Sequence, residues 1–131
     1  MATEAKSVVR TENAPAPFQG APYSQAIRAG DFVFVSGQLA LRSDHAEIVG
    51  DSIEEQTEQV FANLAAILAE SGTGLDRLVK TTVFLADFDD FAAMNEVYAR
   101  HVGDSPPARS TVEVSALPSG AKVEIEAIAA L

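Results

Sequence analysis

Phe32-Val33-Phe34-Val35-Ser36-Gly37-Gln38-Leu39-Ala40-Leu41 is β-branched, aromatic and apolar on both of its alternating faces. A strand of this kind has to be covered on both sides, and the rest of the chain decides by what. Upstream, Gly30-Asp31 is a turn leading back to a strand over Ser24 to Ala29. Residues 11 to 23 hold three prolines and one glycine and form a loop after a short first strand, Lys6 to Arg10. Downstream, Ser52 to Ser71 is the clearest helix. Ser52 with Glu55 makes a capping box, acids crowd the first turn, and Gly72 stands where a left-handed terminal residue is wanted. Ile53, Thr57, Val60, Phe61, Leu64, Ile67 and Leu68 fall on one stripe at helical spacing.

A strand follows over Leu78 to Leu85, then a second helix from Phe88 to His101 with Asp87 as N-cap and Phe91, Met94, Tyr98 and Val102 as its apolar face. Pro106-Pro107 blocks its continuation. Two strands, Arg109 to Ser115 and Lys122 to Ala130, close the chain around the turn residues 116 to 120. The order predicts an α+β fold, a mixed β-sheet with both helices packed on one face. Two helices cannot cover both faces, and the Phe32–Leu41 strand and Ile128 leave apolar groups on the far side. Burial against another copy of the chain is the simple solution, so an oligomer is expected.

The 131 residues suit a single domain over 1–131, and 47% apolar content suits a globular one. No apolar run reaches the ~20 residues of a membrane span, and the first residues lead into no apolar core of a signal peptide. A cytoplasmic location is expected by default. The chain has no cysteine, which excludes disulfides, zinc–thiolate sites and thiol nucleophiles. A net charge of −10 without a Lys/Arg cluster speaks against nucleic acid and acidic membranes.

Alternation sorts the last two strands by face. If Val112 and Val114, and Val123, Ile125 and Ala127, meet the helices, then Arg109, Thr111, Glu113, Glu124 and Glu126 gather on the helix-free side. Arg109 suits a carboxylate ligand through its two-pronged guanidinium, and competes with a structural salt bridge to Glu124 or Glu126. Glu124 is either a general base or the partner of that arginine. Tyr23 is either a pocket wall or packing for its neighbouring prolines, and Ser36 either a site hydroxyl or a satisfied strand hydroxyl. Gly37 interrupts a strand, which marks a bulge or a close approach. Asn95, one step from the apolar stripe, reads as a satisfied interior or boundary amide ahead of a contact for substrate. His101 is explained by the helix dipole, and Glu54, Glu55 and Glu58 by a solvated helix face. His45 and His101 make no metal-ligand spacing. No Gly-x-Ser-x-Gly elbow and no phosphate-cradling glycine loop is present.

Four segments together carry a resemblance: Pro22-Tyr23-Ser24-Gln25-Ala26, Val35-Ser36-Gly37-Gln38, Pro107-Ala108-Arg109-Ser110-Thr111-Val112-Glu113-Val114, and Val123-Glu124-Ile125-Glu126-Ala127-Ile128-Ala129. In their order, with Met94-Asn95-Glu96-Val97-Tyr98 between them, they resemble the Rid/YjgF family over nearly the whole chain. The resemblance implies a chorismate-mutase-like fold, a homotrimer with an inner β-barrel and three clefts between subunits. It implies deamination of 2-iminopropanoate, 2-iminobutanoate and their enamine tautomers to 2-oxo acids and ammonia, with no metal or organic cofactor. By position it makes Arg109 the carboxylate anchor and Glu124 the residue that places water. Tyr23, Ser36 and Asn95 then line the cleft, with backbone groups of Gly37 and Thr111 on the ligand. Many family members have cysteine where this chain has Thr111. Two other readings compete: a deaminase of a larger enamine of the 2-aminomuconate type, and a non-catalytic trimer that binds 2-oxo acids or similar metabolites. A ribonuclease role, attached to some relatives, fits the acidic charge poorly.

Overall fold

The structure, a computed structural model, describes residues 5–44 and 47–131; His45 lies outside them. Strands β1 (Ser7–Val9), β2 (Ala26–Ala29) and β3 (Phe32–Gln38) precede helix α1 (Ile53–Ser71), β4 (Leu78–Leu85), helix α2 (Phe91–Val102), β5 (Ala108–Glu113) and β6 (Val123–Ala130). One mixed sheet runs β1-β2-β3-β6-β4-β5. Every neighbouring pair is antiparallel except β4 and β5. A parallel pair needs a crossover, and α2 supplies it.

Helix α1 forms where its caps and its stripe agree. The Ser52 hydroxyl accepts from the Glu55 backbone N–H at 3.1 Å, while the Glu55 carboxylate accepts from the Ser52 N–H at 3.3 Å. Gly72 ends the helix at φ 92°, a left-handed conformation that costs glycine little. All seven stripe residues are buried, and Val60, Phe61, Leu64, Ile67 and Leu68 share one core with Val33 and Val35 of β3 and Val123, Ile125, Ala127 and Ala129 of β6. Each such side chain contributes roughly 1.5–3 kcal/mol, so burial, more than intrinsic propensity, holds α1 in place.

Three expectations need correction. The strand from Phe32 ends at Gln38, short of Leu41. Its ladder with β6 slips between Val35 and Gln38, and beyond it the carbonyls of Leu39 and Leu41 accept from the buried Asn63 amide of α1, at 3.0 and 2.7 Å. The second helix begins at Phe91. Residues 88–90 form a separate 3-10 turn, capped by the Asp87 carboxylate accepting from the Asp89 N–H at 2.9 Å.

The third correction moves Arg109. In the β4–β5 register Arg109 lies beside Thr81, Thr111 beside Val83 and Glu113 beside Leu85. Thr81, Val83 and Leu85 are fully buried beneath the helices. Neighbours in register share a face, so Arg109, Thr111 and Glu113 point to the helix side, not away from it. Val112, beside Phe84, faces away and is 43% exposed. β5 is an edge strand, so its valine is no guide to the inner core. β6 follows expectation: Val123, Ile125 and Ala127 are inward and Glu124, Glu126 and Ile128 outward. Across the helix-free face Val8, Ile27, Phe34 and Ile128 lie in register, with Val8 53% and Phe34 44% exposed. That row is the apolar surface expected from the sequence.

Candidate functional site

On the helix side of β5, Arg109 reaches under α2. Its guanidinium carbon stands 4.7 Å from the centre of the Tyr98 ring and 5.6 Å from that of Phe91. Among the described residues it makes no ion pair and no hydrogen bond to a side chain, so the structural salt bridge to Glu124 or Glu126 is not formed. Asn95 Oδ1 and Thr111 Oγ1 are buried without a hydrogen-bond partner. The expectation of a satisfied Asn95 amide therefore fails. Leaving such an atom unpaired costs about 1–3 kcal/mol, so two of them with a free guanidinium define an incomplete polar site. Beside them opens a cavity of about 340 Å³, lined by Asn95, Tyr98, Val102, Pro106, Pro107 and Arg109 among others.

The second group lies on the helix-free side. Glu124 extends across β3 at the irregularity between Val35 and Gln38, and its carboxylate fills the space that a side chain on Gly37 would need. Gly37 is thus required by a close approach, one of the alternatives open from the sequence. Burial, and next the neighbouring charge of Glu126, raise the Glu124 carboxyl above the ordinary glutamate range. Ser36 donates its hydroxyl proton to the Ser24 carbonyl at 2.6 Å. With Phe34, Lys80, Thr82 and Glu126 it borders a hollow of about 300 Å³. Tyr23 Oη accepts from the Phe18 N–H at 2.6 Å, and Tyr23 and Gly37 wall the same small cavity.

The candidate residues therefore fall into two half-sites. Arg109, Asn95 and Thr111 form one; Glu124, Gly37, Ser36 and Tyr23 surround the other. Glu124 is level with Phe84 and Val112, whereas Arg109 is level with Thr81 and Ala127, on the opposite face. Three residues along a strand span roughly 10 Å, so one chain cannot close both groups on a small ligand.

Tyr98 and Phe91 were read from the sequence only as an apolar stripe. Two aromatics about two turns apart, on the crossover helix that precedes an arginine strand, are the available signal. Glu113 accepts from the Phe88 N–H at 2.8 Å. His101 does more than answer a dipole, since its ring stacks on Phe61 at 4.5 Å and its Nε2 lies 3.1 Å from the Glu58 carboxylate. Glu58, which also accepts from Arg100 at 3.1 Å, joins the two helices rather than merely facing solvent.

A family model described as Endoribonuclease L-PSP matches residues 11–131. A RutC family protein of Pyrococcus abyssi is 52% identical over 125 residues, covering 95% of this chain and 97% of its own. The chloroplastic Reactive Intermediate Deaminase A of Arabidopsis thaliana is 51% identical over 126 residues, covering 96% of this chain and 66% of its own. The crystal structure of yeast Mmf1 superposes with a TM-score of 0.90 at 47% identity, covering 95% of this chain and 98% of that one. E. coli TdcF with bound serine does so with a TM-score of 0.86 at 36% identity, covering 95% and 98%. The family model spans both half-sites and every strand after β1, and the chain belongs to the Rid/YjgF family.

Proposed function

We propose that the protein is a hydrolytic deaminase of small 2-imino acids and their enamine tautomers, 2-iminopropanoate and 2-iminobutanoate, working as a homotrimer. The observation that carries this reading is the unpaired Arg109 guanidinium beside the orphaned Asn95 and Thr111 oxygens. A guanidinium with its donors free takes a carboxylate through two parallel hydrogen bonds. In the assembly, the helix-free apolar faces meet in an inner barrel, and one copy's Glu124 half-site closes on another copy's Arg109. The Arabidopsis relative named as a reactive intermediate deaminase supports the reaction class.

The chemistry asks little of the protein. With the substrate carboxylate on Arg109, water adds to the imine carbon while Glu124 accepts its proton. Glu124 passes that proton to the nitrogen, which gives the neutral carbinolamine; its hydroxyl proton then travels through Glu124 to the amine as the C–N bond breaks and the C=O bond forms. Ammonia and a 2-oxo acid result. Asn95 Oδ1 offers an acceptor to the N–H, and no step needs a metal or cofactor.

The serine bound in E. coli TdcF favours a second reading, a carboxylate-binding trimer without turnover. One assay separates them. Threonine dehydratase generates 2-iminobutanoate, and semicarbazide traps whatever imine remains. The deaminase suppresses the semicarbazone formed from imine, and Arg109→Ala does not while sedimenting like wild type. Ligand binding with no suppression at high protein concentration selects the second reading, and a dissociated Arg109→Ala returns that arginine to a structural role.

A further inference from the structure

An anchoring arginine has to be held without being consumed. A carboxylate partner would fix the guanidinium but occupy the fork that the ligand needs, so each binding event would first break an ion pair. Arg109 is held in another way. Tyr98 at 4.7 Å and Phe91 at 5.6 Å both lie within the ~6 Å range in which a ring face attracts a cation. Contact with a ring face leaves the N–H donors around the rim of the planar group unoccupied.

The Tyr98 ring is itself fixed. Its hydroxyl is 2.6 Å from Thr81 Oγ1 in a buried hydrogen bond. It meets Phe61 of α1 edge-on, with centres 5.4 Å apart and planes at 77°. Thr81 is also the β4 residue in register with Arg109. The same position on β4 thus sets the backbone that carries the arginine and the hydroxyl that aims the ring. Phe91, farther away and half-buried, adds a second ring within reach of the same guanidinium.

We infer that Tyr98, assisted by Phe91, is the positioning residue of the carboxylate anchor, an aromatic bed that replaces a counter-ion and leaves the Arg109 fork open. The inference rests on the proposed role of Arg109. Tyr98 itself touches no reacting atom. Its loss should weaken carboxylate binding and raise KM, leaving kcat largely unchanged.

The test compares Tyr98→Phe, Tyr98→Leu and the pair Tyr98→Leu/Thr81→Val, the last so that no buried Thr81 hydroxyl is left unpartnered in a folded chain. The probe is 2-oxobutanoate, titrated calorimetrically, with imine turnover measured in parallel and Arg109→Ala as reference. Tyr98→Phe should bind within about threefold of wild type, whereas the leucine variants weaken binding and raise KM about tenfold. Leucine variants that bind like wild type, while Arg109→Ala loses binding, overturn the aromatic bed and leave the anchor standing. Arg109→Ala binding like wild type removes the anchor, and the bed with it. Equal loss in Tyr98→Phe and Tyr98→Leu assigns the effect to the hydroxyl and also overturns the inference. If Tyr98→Leu does not fold, the double variant decides.

Discussion

Replacing Gly37 by alanine tests whether the Glu124 carboxylate works where it stands. Gly37 has no left-handed backbone, so alanine meets no conformational penalty there. The conflict is with a side chain: an added Cβ would lie 2.9 Å from Glu124 Cδ and 3.2 Å from its Cγ, with Oε2 nearer still. Carbon atoms settle at about 3.5–4.0 Å, so the carboxylate has to retreat by about 1 Å. It is the far end of a flexible chain and can do so without moving the strand. The gain of a methyl inside a strand, worth roughly 0.5–1 kcal/mol over glycine, offsets much of the remaining strain. The melting temperature should stay within about 2–4 °C of wild type. Activity should not, because a 1 Å misplacement of a positioned group costs on the order of 100-fold, or about 2.7 kcal/mol of barrier. The semicarbazide competition, run beside a thermal melt, reads both quantities. A folded Gly37→Ala with activity within threefold of wild type would refute the reasoning, because the displaced carboxylate would then not be the one that places water.

Three further outcomes are expected. Glu124 has to be ionised to accept a proton, and burial followed by the Glu126 charge raises its pKa, so activity should fall on the acid side at a pH above that of an ordinary glutamate. Glu126→Gln removes the like charge and should move that limb of the kcat/KM profile to lower pH; an unmoved limb assigns it to another group. Burial raises the Glu58 carboxyl, but the hydrogen bonds and charges of His101 and Arg100 outweigh it and hold the group low. A lowered folded pKa contributes stability above the unfolded value of about 4.3, lost as pH falls through the folded one. Glu58→Gln should therefore lower the melting temperature by about 1–3 °C at pH 7, discounted for an exposed pair, and the difference should close in acid. A difference that persists undiminished at pH 2 would show that charge is not its source. Phe34→Glu puts a carboxylate in the middle of the exposed apolar row and should yield a monomer without deaminase activity in sedimentation and assay. Retention of an active oligomer would take that row out of the interface.

The fold was legible wherever a local signal and a burial signal coincided. Ser52, Glu55 and Gly72 bounded α1 and its stripe was the core, because capping and periodicity are both properties of the chain's own spacing. Strand ends were less legible: Leu39 to Leu41 looked like more strand, and only the Asn63 amide, more than 20 residues away in sequence, shows where their carbonyls are satisfied. Alternation gave the right answer for β6, a central strand, and the wrong one for β5. Period 2 says which residues share a face but not which face it is, and an edge strand need not put its valines inward. The Thr81–Arg109 register settles it. The resemblance names Arg109 and Glu124 together, and strand alternation, with the β5 valines taken as inward, puts both on one face. With the faces separated, one chain would hold the proposed anchor without the proposed base, and the base without the anchor. On the proposed reading, the apolar row around Phe34 and the two half-sites then answer the same need. Association covers a surface the helices leave bare, and in doing so brings Glu124 of one copy to Arg109 of another. Activity should then depend on protein concentration wherever the oligomer dissociates, falling more steeply than protomer concentration, whereas a site complete within one chain would show strict proportionality.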